Sequence, residues 1–133
     1  MTERNMFGAF MTYCFSSDNV EELVKEAMEK IKEDCLAFSY EINQIYEITY
    51  DENEKIYKQN LVTKWASTSP DSSDHVYSVV GKTANEAKGL MRMYSENMRN
   101  SRQLHVRDLT NVYEVNGLFI QTASFKQGIL ALS

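Results

Sequence analysis

Between Val20 and Ile31 the chain places apolar side chains at Val20, Leu23, Val24, Ala27, Met28 and Ile31. That spacing marks one face of an α-helix, with Glu22, Lys25, Glu26, Glu29, Lys30 and Glu33 on the other. A helix of this kind must lie on a flat apolar surface. The like-charge pairs Glu22 with Glu26 and Glu29 with Glu33, four positions apart, weaken it in isolation, so tertiary packing has to hold it. Ser16, Ser17, Asp18 and Asn19 supply N-cap chemistry before it, and Glu21 and Glu22 sit where the helix dipole favours negative charge.

The surface it needs is visible in the flanking segments. Met6 to Phe15 is apolar on both alternating faces and reads as one strand buried on two sides. Ala37 to Tyr50 alternates, with Phe38, Tyr40 and Ile42 and then Tyr46, Ile48 and Tyr50 on common faces, and the pattern predicts a bulge near Asn43. Asp51 to Lys55 is a turn, and Ile56 to Ala66 returns as a second strand to make a hairpin. Ser67 to Asp74, which contains the single proline, reads as a mobile loop.

His75 to Val80 is a β-branched strand leading through Gly81 into a second helix. Thr83 and Glu86 are spaced as a capping box, and Ala84, Ala87, Leu90, Met91, Tyr94 and Met98 form its apolar stripe, with the end near Asn100. Val112 to Val115, Asn116-Gly117 and Leu118 to Ile120 make the strongest short hairpin signal in the chain. Ile129 to Leu132 is a candidate edge strand.

The resulting order, β-α-β-β-β-α-β-β, predicts a single α+β domain over all 133 residues, with one mainly antiparallel sheet and both helices on one face. The βαββ portion resembles ferredoxin-like folds. The αβββα stretch from Asp18 to Asn100 is similar in element order to a double-stranded-RNA-binding domain, and the basic cluster such domains place at the start of their last helix corresponds here to Lys82 and Lys88.

The formal charge of −5 hides a polarity. Residues 1–55 carry 13 Asp/Glu against 5 Lys/Arg, and residues 56–133 carry 6 against 9. An acidic surface repels phosphate and suits a basic protein partner, whereas the basic half leaves room for a local phosphate contact. Glu22, Glu26, Glu29, Glu33, Asp51, Glu52 and Glu54 are the candidate acidic protein-binding residues. Lys88, Arg92, Arg99 and Arg102, on and after the second helix, are the candidate phosphate contacts. Tyr46, Tyr50, Tyr57 and Trp65 are expected on an open sheet face, where exposed aromatics would mark an interface.

The motifs of catalysis and metal binding do not assemble. Gly81-Lys82-Thr83 sits between strand and helix as a P-loop lysine would, but the glycine that a phosphate cradle needs five positions earlier is Val76. His75 and His105 have no partners at metal-ligand spacing. Cys14 and Cys35 stand among apolar neighbours and read as reduced, buried residues, Cys35 with Asp34 and Glu33 beside it to raise its thiol pKa. Glu41 and Glu47, among aromatics in a strand segment, are the carboxylates to inspect first.

No cofactor or metal is therefore expected. With no apolar run long enough to cross a bilayer and no leader pattern, the expectation is a cytoplasmic protein without a membrane partner. The short chain, single proline and Asn/Tyr/Met-rich make-up resemble accessory proteins of bacteriophages and mobile elements. The function expected from these features is a small non-enzymatic regulator or inhibitor working through protein contacts, with a homodimer as a compatible arrangement. Two alternatives stand beside it: a nucleic-acid-binding module using the basic face of the second helix, and a small-ligand binder or enzyme whose site forms only in three dimensions.

Overall fold

The computed structural model describes residues 1–66 and 74–127. The candidate strand Ile129 to Leu132 and all of the Ser67 to Asp74 loop except its last residue lie outside them. Asp74 itself is buried at 1% exposure and hydrogen-bonded, which removes it from any loop tip.

The first apolar run is a hairpin and not one strand. β1 (Thr2–Phe7) and β2 (Phe10–Ser17) pair antiparallel with Phe7 opposite Phe10. Gly8, at φ +65, provides the left-handed step of the turn between them. α1 (Val20–Phe38) starts at Asn19, whose side chain accepts from the Glu21 and Glu22 amides, and stops at Ser39 in the left-handed region. Three strands follow: β3 (Tyr40–Ile45), β4 (Thr49–Asp51) and β5 (Ile56–Trp65). The register slips between Ile42 and Gln44, so the expected bulge is present at Asn43.

β6 (His75–Gly81) leads into α2 (Ala84–Arg102), which begins at the Thr83 cap: Thr83 Oγ1 accepts from the Glu86 amide, and Glu86 accepts from the Lys82 amide in return. β7 (Leu104–Leu109), β8 (Tyr113–Val115) and β9 (Leu118–Gln127) complete the chain, the last two joined through Asn116 and Gly117 as their sequence predicts.

The strands form two antiparallel sheets. Sheet A runs β1-β2-β5-β3 with β4 also on β5, and sheet B runs β6-β9-β7 with β8 also on β9. This corrects the single sheet with two helices on one face. β5 and β6, adjacent in sequence, belong to different sheets; α1 packs between sheet A and β6 of sheet B, and α2 packs on sheet B. The likeness to ferredoxin-like and double-stranded-RNA-binding folds, which put both helices on one sheet, ends at element order.

Apart from β1, which has no counterpart in sheet B among the described residues, the two sheets are one unit built twice. Each half reads strand, 19-residue helix, six-residue strand, three-residue strand, ten-residue strand. The N-caps Asn19 and Thr83 and the left-handed C-caps Ser39 and Gln103 are each 64 positions apart. The bulges at Asn43 and Arg107 keep the same offset. The last strands shift by two because Asp51 to Lys55 is a longer turn than Asn116-Gly117. A side-chain bond is duplicated as well: Gln59 Nε2 donates to the Tyr46 carbonyl at 3.0 Å and Gln121 Nε2 to the Thr110 carbonyl at 2.9 Å. Each ties the centre of the last strand to the crossing before its neighbour.

Stacking of the halves determines which surfaces stay open. Tyr13, Phe15, Ile42, Tyr57 and Leu61 from sheet A join α1 in a core that also takes Val76, Val115 and Ile120 from sheet B. The other face of sheet B packs on α2 through Val79, Ala123 and Phe125 against Ala87, Met91 and Met98. Sheet B is therefore covered on both sides, which is why β9 is buried without interruption from Ile120 to Phe125. Among the described residues no element covers the outer face of sheet A.

Side chains also seal the junction. At the β3 margin the Ile42 amide donates to Asp74 Oδ2 at 3.2 Å, and the Ile42 carbonyl accepts from Arg107 Nη1 at 2.8 Å. The Ile48 amide donates to the Tyr113 hydroxyl at 2.9 Å. An edge that would otherwise recruit another strand is closed from within the chain.

Candidate functional surfaces

Gly81 shows why a phosphate-loop-like tripeptide occurs without a phosphate loop. A Cβ at this position would lie 2.9 Å from the Ala87 amide nitrogen and 3.2 Å from Glu86 Cβ. The first turn of α2 approaches the strand end closely, and the glycine is required by that packing.

The acidic residues fall into two groups with different duties. On α1, Glu22, Glu29 and Glu33 are exposed, Glu33 lying 3.3 Å from Lys30 Nζ. Glu26 is half-buried and receives the amino terminus at 2.8 Å together with the Thr2 hydroxyl. In the β4–β5 turn, Asp51 Oδ1 accepts from the amides of Asn53 and Glu54, Lys58 bridges Asp51 and Glu54, and Glu52 is exposed. Backbone donation from Glu54 and Asn53 holds the Asp51 carboxyl below its ordinary value. Glu26 and Asp51 thus hold local structure together.

The four aromatics expected on one open face separate. Tyr57 is buried, its ring 4.8 Å from half-buried Tyr50, and its hydroxyl accepts from Asn116. Tyr46 and Trp65 are exposed, at 44% and 62%. The aromatics on the bare face of sheet A are instead Phe7 and Phe10, 78% and 41% exposed, hidden from sequence reading because their run looks like buried strand.

Lys88, Arg92, Arg99 and Arg102 are all exposed on α2, and among the described residues none forms an ion pair. Met93 lies off the α2 stripe and is 68% exposed. Together with Leu90 it borders a groove of about 780 Å³ between α1 and α2, floored by β6 and lined also by Val24, Met28 and Tyr94. Glu21, Lys25 and Glu29 form its α1 rim.

Beneath that groove the Tyr94 hydroxyl stands 3.0 Å from His75 Nε2 and 4.0 Å from Met28 Sδ. The Tyr94 ring stacks on Tyr77 at 4.0 Å, and His75 stacks on Phe125. Burial pushes the Tyr94 hydroxyl up to about 12, with the neighbouring Tyr77 adding to the shift and Arg102 opposing it. Tyr113, joined through Thr122 to Ser78, is also raised by burial to about 12, against the hydrogen bonds that favour its anion. Both groups start from an ordinary value of 10.0. Since the folded values are raised, the stability they contribute is complete below pH 10 and is lost as pH rises through about 12. Alkaline titration followed by tyrosinate absorbance should show these rings ionising late, in step with loss of the near-ultraviolet circular dichroism signal. Ionisation of every tyrosine near pH 10 in the folded protein would contradict the assignment.

Cys35 is fully buried and its thiol is driven well above the usual range by burial, with Asp74 and Asp34 adding to the effect. Cys14 is half-buried on the outer face of sheet A, which differs from the buried position its sequence suggests. Glu47 is exposed. Glu41 is shielded to 15% side-chain exposure and faces three cations, Lys64, Arg107 and Lys126. Among the described residues no group of three His, Cys, Asp or Glu side chains is arranged to hold a metal, and no helix is long and apolar enough to cross a membrane.

No protein-family model matches the chain, and no curated protein or solved structure shows significant similarity to it.

Proposed function

We propose that this protein acts as a non-enzymatic regulator that binds another protein, and that the groove between α1 and α2 receives an amphipathic segment of that partner. The observation that carries the reading is the groove itself: Met28, Leu90 and Met93 border an apolar floor, and Leu90 and Met93 are 39% and 68% exposed. Large apolar side chains that stay in water at the mouth of a cleft mark a contact surface. Methionines adapt their shape to a docked helix or strand at little cost.

The α1 rim gives the partner a charge. Glu21 and Glu29 flank Lys25 there, so the segment should carry basic residues beside its apolar ones. The half-charges of the sequence fit this division: acidic α1 presents the rim, while the exposed arginines of α2 repel the partner's basic residues and so disfavour docking in the reverse sense.

Affinity capture at moderate salt from cells that naturally carry the protein, performed in parallel with wild type, Leu90→Asp and Met93→Asp, tests the reading. The expected result is one stoichiometric partner that the wild type retains and both groove variants lose by at least tenfold, with unchanged thermal midpoints for all three proteins. A partner held equally by the variants would move the contact elsewhere, and the absence of any stoichiometric partner would end the proposal.

A further inference from the structure

The bare face of sheet A carries a row that runs straight across its strands. Phe7 pairs with Phe10, Phe10 with Lys64, and Lys64 with Glu41. Residues opposite one another on neighbouring strands point to the same side about 5 Å apart, so two exposed phenylalanine rings lead directly to a lysine and then to the β3 margin. The second row, Asn5, Thr12, Val62 and Gln44, is uncharged.

Among the described residues the charges at this margin do not balance. Glu41 Oε1 is 3.6 Å from Lys64 Nζ and 3.9 Å from Arg107 Nη2, and Glu41 Oε2 is 3.8 Å from Lys126 Nζ. Charge-assisted hydrogen bonds close at about 2.7–2.9 Å, so these cations are gathered around the carboxylate without being consumed by it. Asp74, 4.0 Å from Arg107, is directed to the Ile42 amide, and among the described residues the three cations outnumber the two carboxylates. The Lys64, Arg107 and Lys126 side chains are 39%, 31% and 44% exposed.

The duplication explains how the excess arises. Lys64 and Lys126 hold equivalent places, each one residue before the end of the last strand of its half. Lys64 has Glu41 opposite it, but Lys126 has His105 in the corresponding place. Lys126 therefore turns to the carboxylate of the other half. Arg107 occupies the bulge, a position that re-aims a side chain, and its bond to the Ile42 carbonyl fixes it in the cluster.

We propose that this face binds single-stranded nucleic acid, with unpaired bases stacked on Phe7 and Phe10 and the backbone phosphates against Lys64, Arg107 and Lys126. A broad sheet face suits a single strand, whose unstacked bases lie down on exposed rings and whose phosphates need fixed cations. Asn5, Thr12 and Gln44 offer hydrogen bonds to base edges beside that path. The acidic α1 lies on the far side of the sheet and does not oppose the phosphates directly. This site is separate from the α1–α2 groove and relocates nucleic-acid contact from the α2 arginines.

Fluorescence anisotropy of a labelled single-stranded oligothymidine across a salt series provides the test, with the same sequence as a duplex and inorganic polyphosphate as competitors. Binding at low salt is expected, with a log–log salt slope of about −2, as about three phosphate contacts on a single strand should give. Phe7→Ala and Phe10→Ala should each weaken binding by roughly tenfold and leave the slope unchanged. Lys64→Gln and Lys126→Gln should each lower the slope by about 0.7. Leu90→Asp should bind as wild type does. Failure of the wild type to bind at low salt would overturn the proposal. So would equal binding by duplex or polyphosphate that the phenylalanine variants leave intact, or self-association through this face in place of oligonucleotide binding.

Discussion

Replacing Asp34 with alanine is expected to cost about 3 kcal/mol, a large share of the roughly 5–15 kcal/mol that holds a domain of this size. The carboxylate is 1% exposed and sits at a crossing of three elements. Its Oδ2 accepts from the Tyr13 hydroxyl of β2 at 2.7 Å and from Arg4 Nη1 of β1 at 2.6 Å, and Lys30 of α1 lies 3.8 Å from its other oxygen. Removing it strands the Tyr13 hydroxyl in the core, where an unpaired polar group costs about 1–3 kcal/mol, and releases the β1 edge as well. Burial and the bond to Asp34 together raise the Tyr13 hydroxyl above its ordinary value, so ionisation offers no escape. Asp34→Asn keeps an acceptor for Tyr13 and gives up the charge, so it should lose about half as much. Urea unfolding of both variants checks the order; equal small losses would show that the network is dispensable.

Asp74→Ala should cost about 2–4 kcal/mol through a different route. Asp74 satisfies the outward amide of Ile42 and stands beside Arg107, which holds the outward carbonyl of the same residue. Without it a buried amide is orphaned and the β3 margin begins to open. The stability loss should therefore come with a second symptom, association through a freed strand edge. Light scattering on mild heating should rise with protein concentration for Asp74→Ala and not for the wild type, and a variant that is destabilised but stays monomeric would show that the edge is sealed by other means.

The parts of the fold that could be read in advance are those encoded by neighbours. α1 and α2 announce themselves by the stripe from Val20 to Ile31 and by the Thr83–Glu86 box, because a cap and a 3.6-residue period are local properties. Asn116-Gly117 specifies its turn in two residues. What stayed hidden depends on remote pairing. Nothing near Trp65 or His75 says that their strands enter different sheets, since that is decided by β2 choosing β5 and β6 choosing β9. β7 carries only a short signal, because Leu104 and Val106 alternate with His105 and Arg107 for four residues before the bulge breaks the period. Met6 to Phe15 misled in the opposite sense, its aromatics suggesting burial where Phe7 and Phe10 face water. Glu41 was legible as a carboxylate worth inspecting, but its cations arrive from β5, β7 and β9 and could not be assembled from sequence.

Because the backbone is written twice in one chain, the protein carries its own two-member alignment. Superposed half on half, few side chains agree: Tyr13 with Tyr77, Glu22 with Glu86, Gln59 with Gln121 and Lys64 with Lys126. The glutamines recur because both halves make the same carbonyl bond, and the glutamates because each opens a helix. The tyrosines recur in the strand beneath each helix, each close to a core. The lysines alone are bound to no buried group and complete no cap. They stand in register at the rim where the two halves meet.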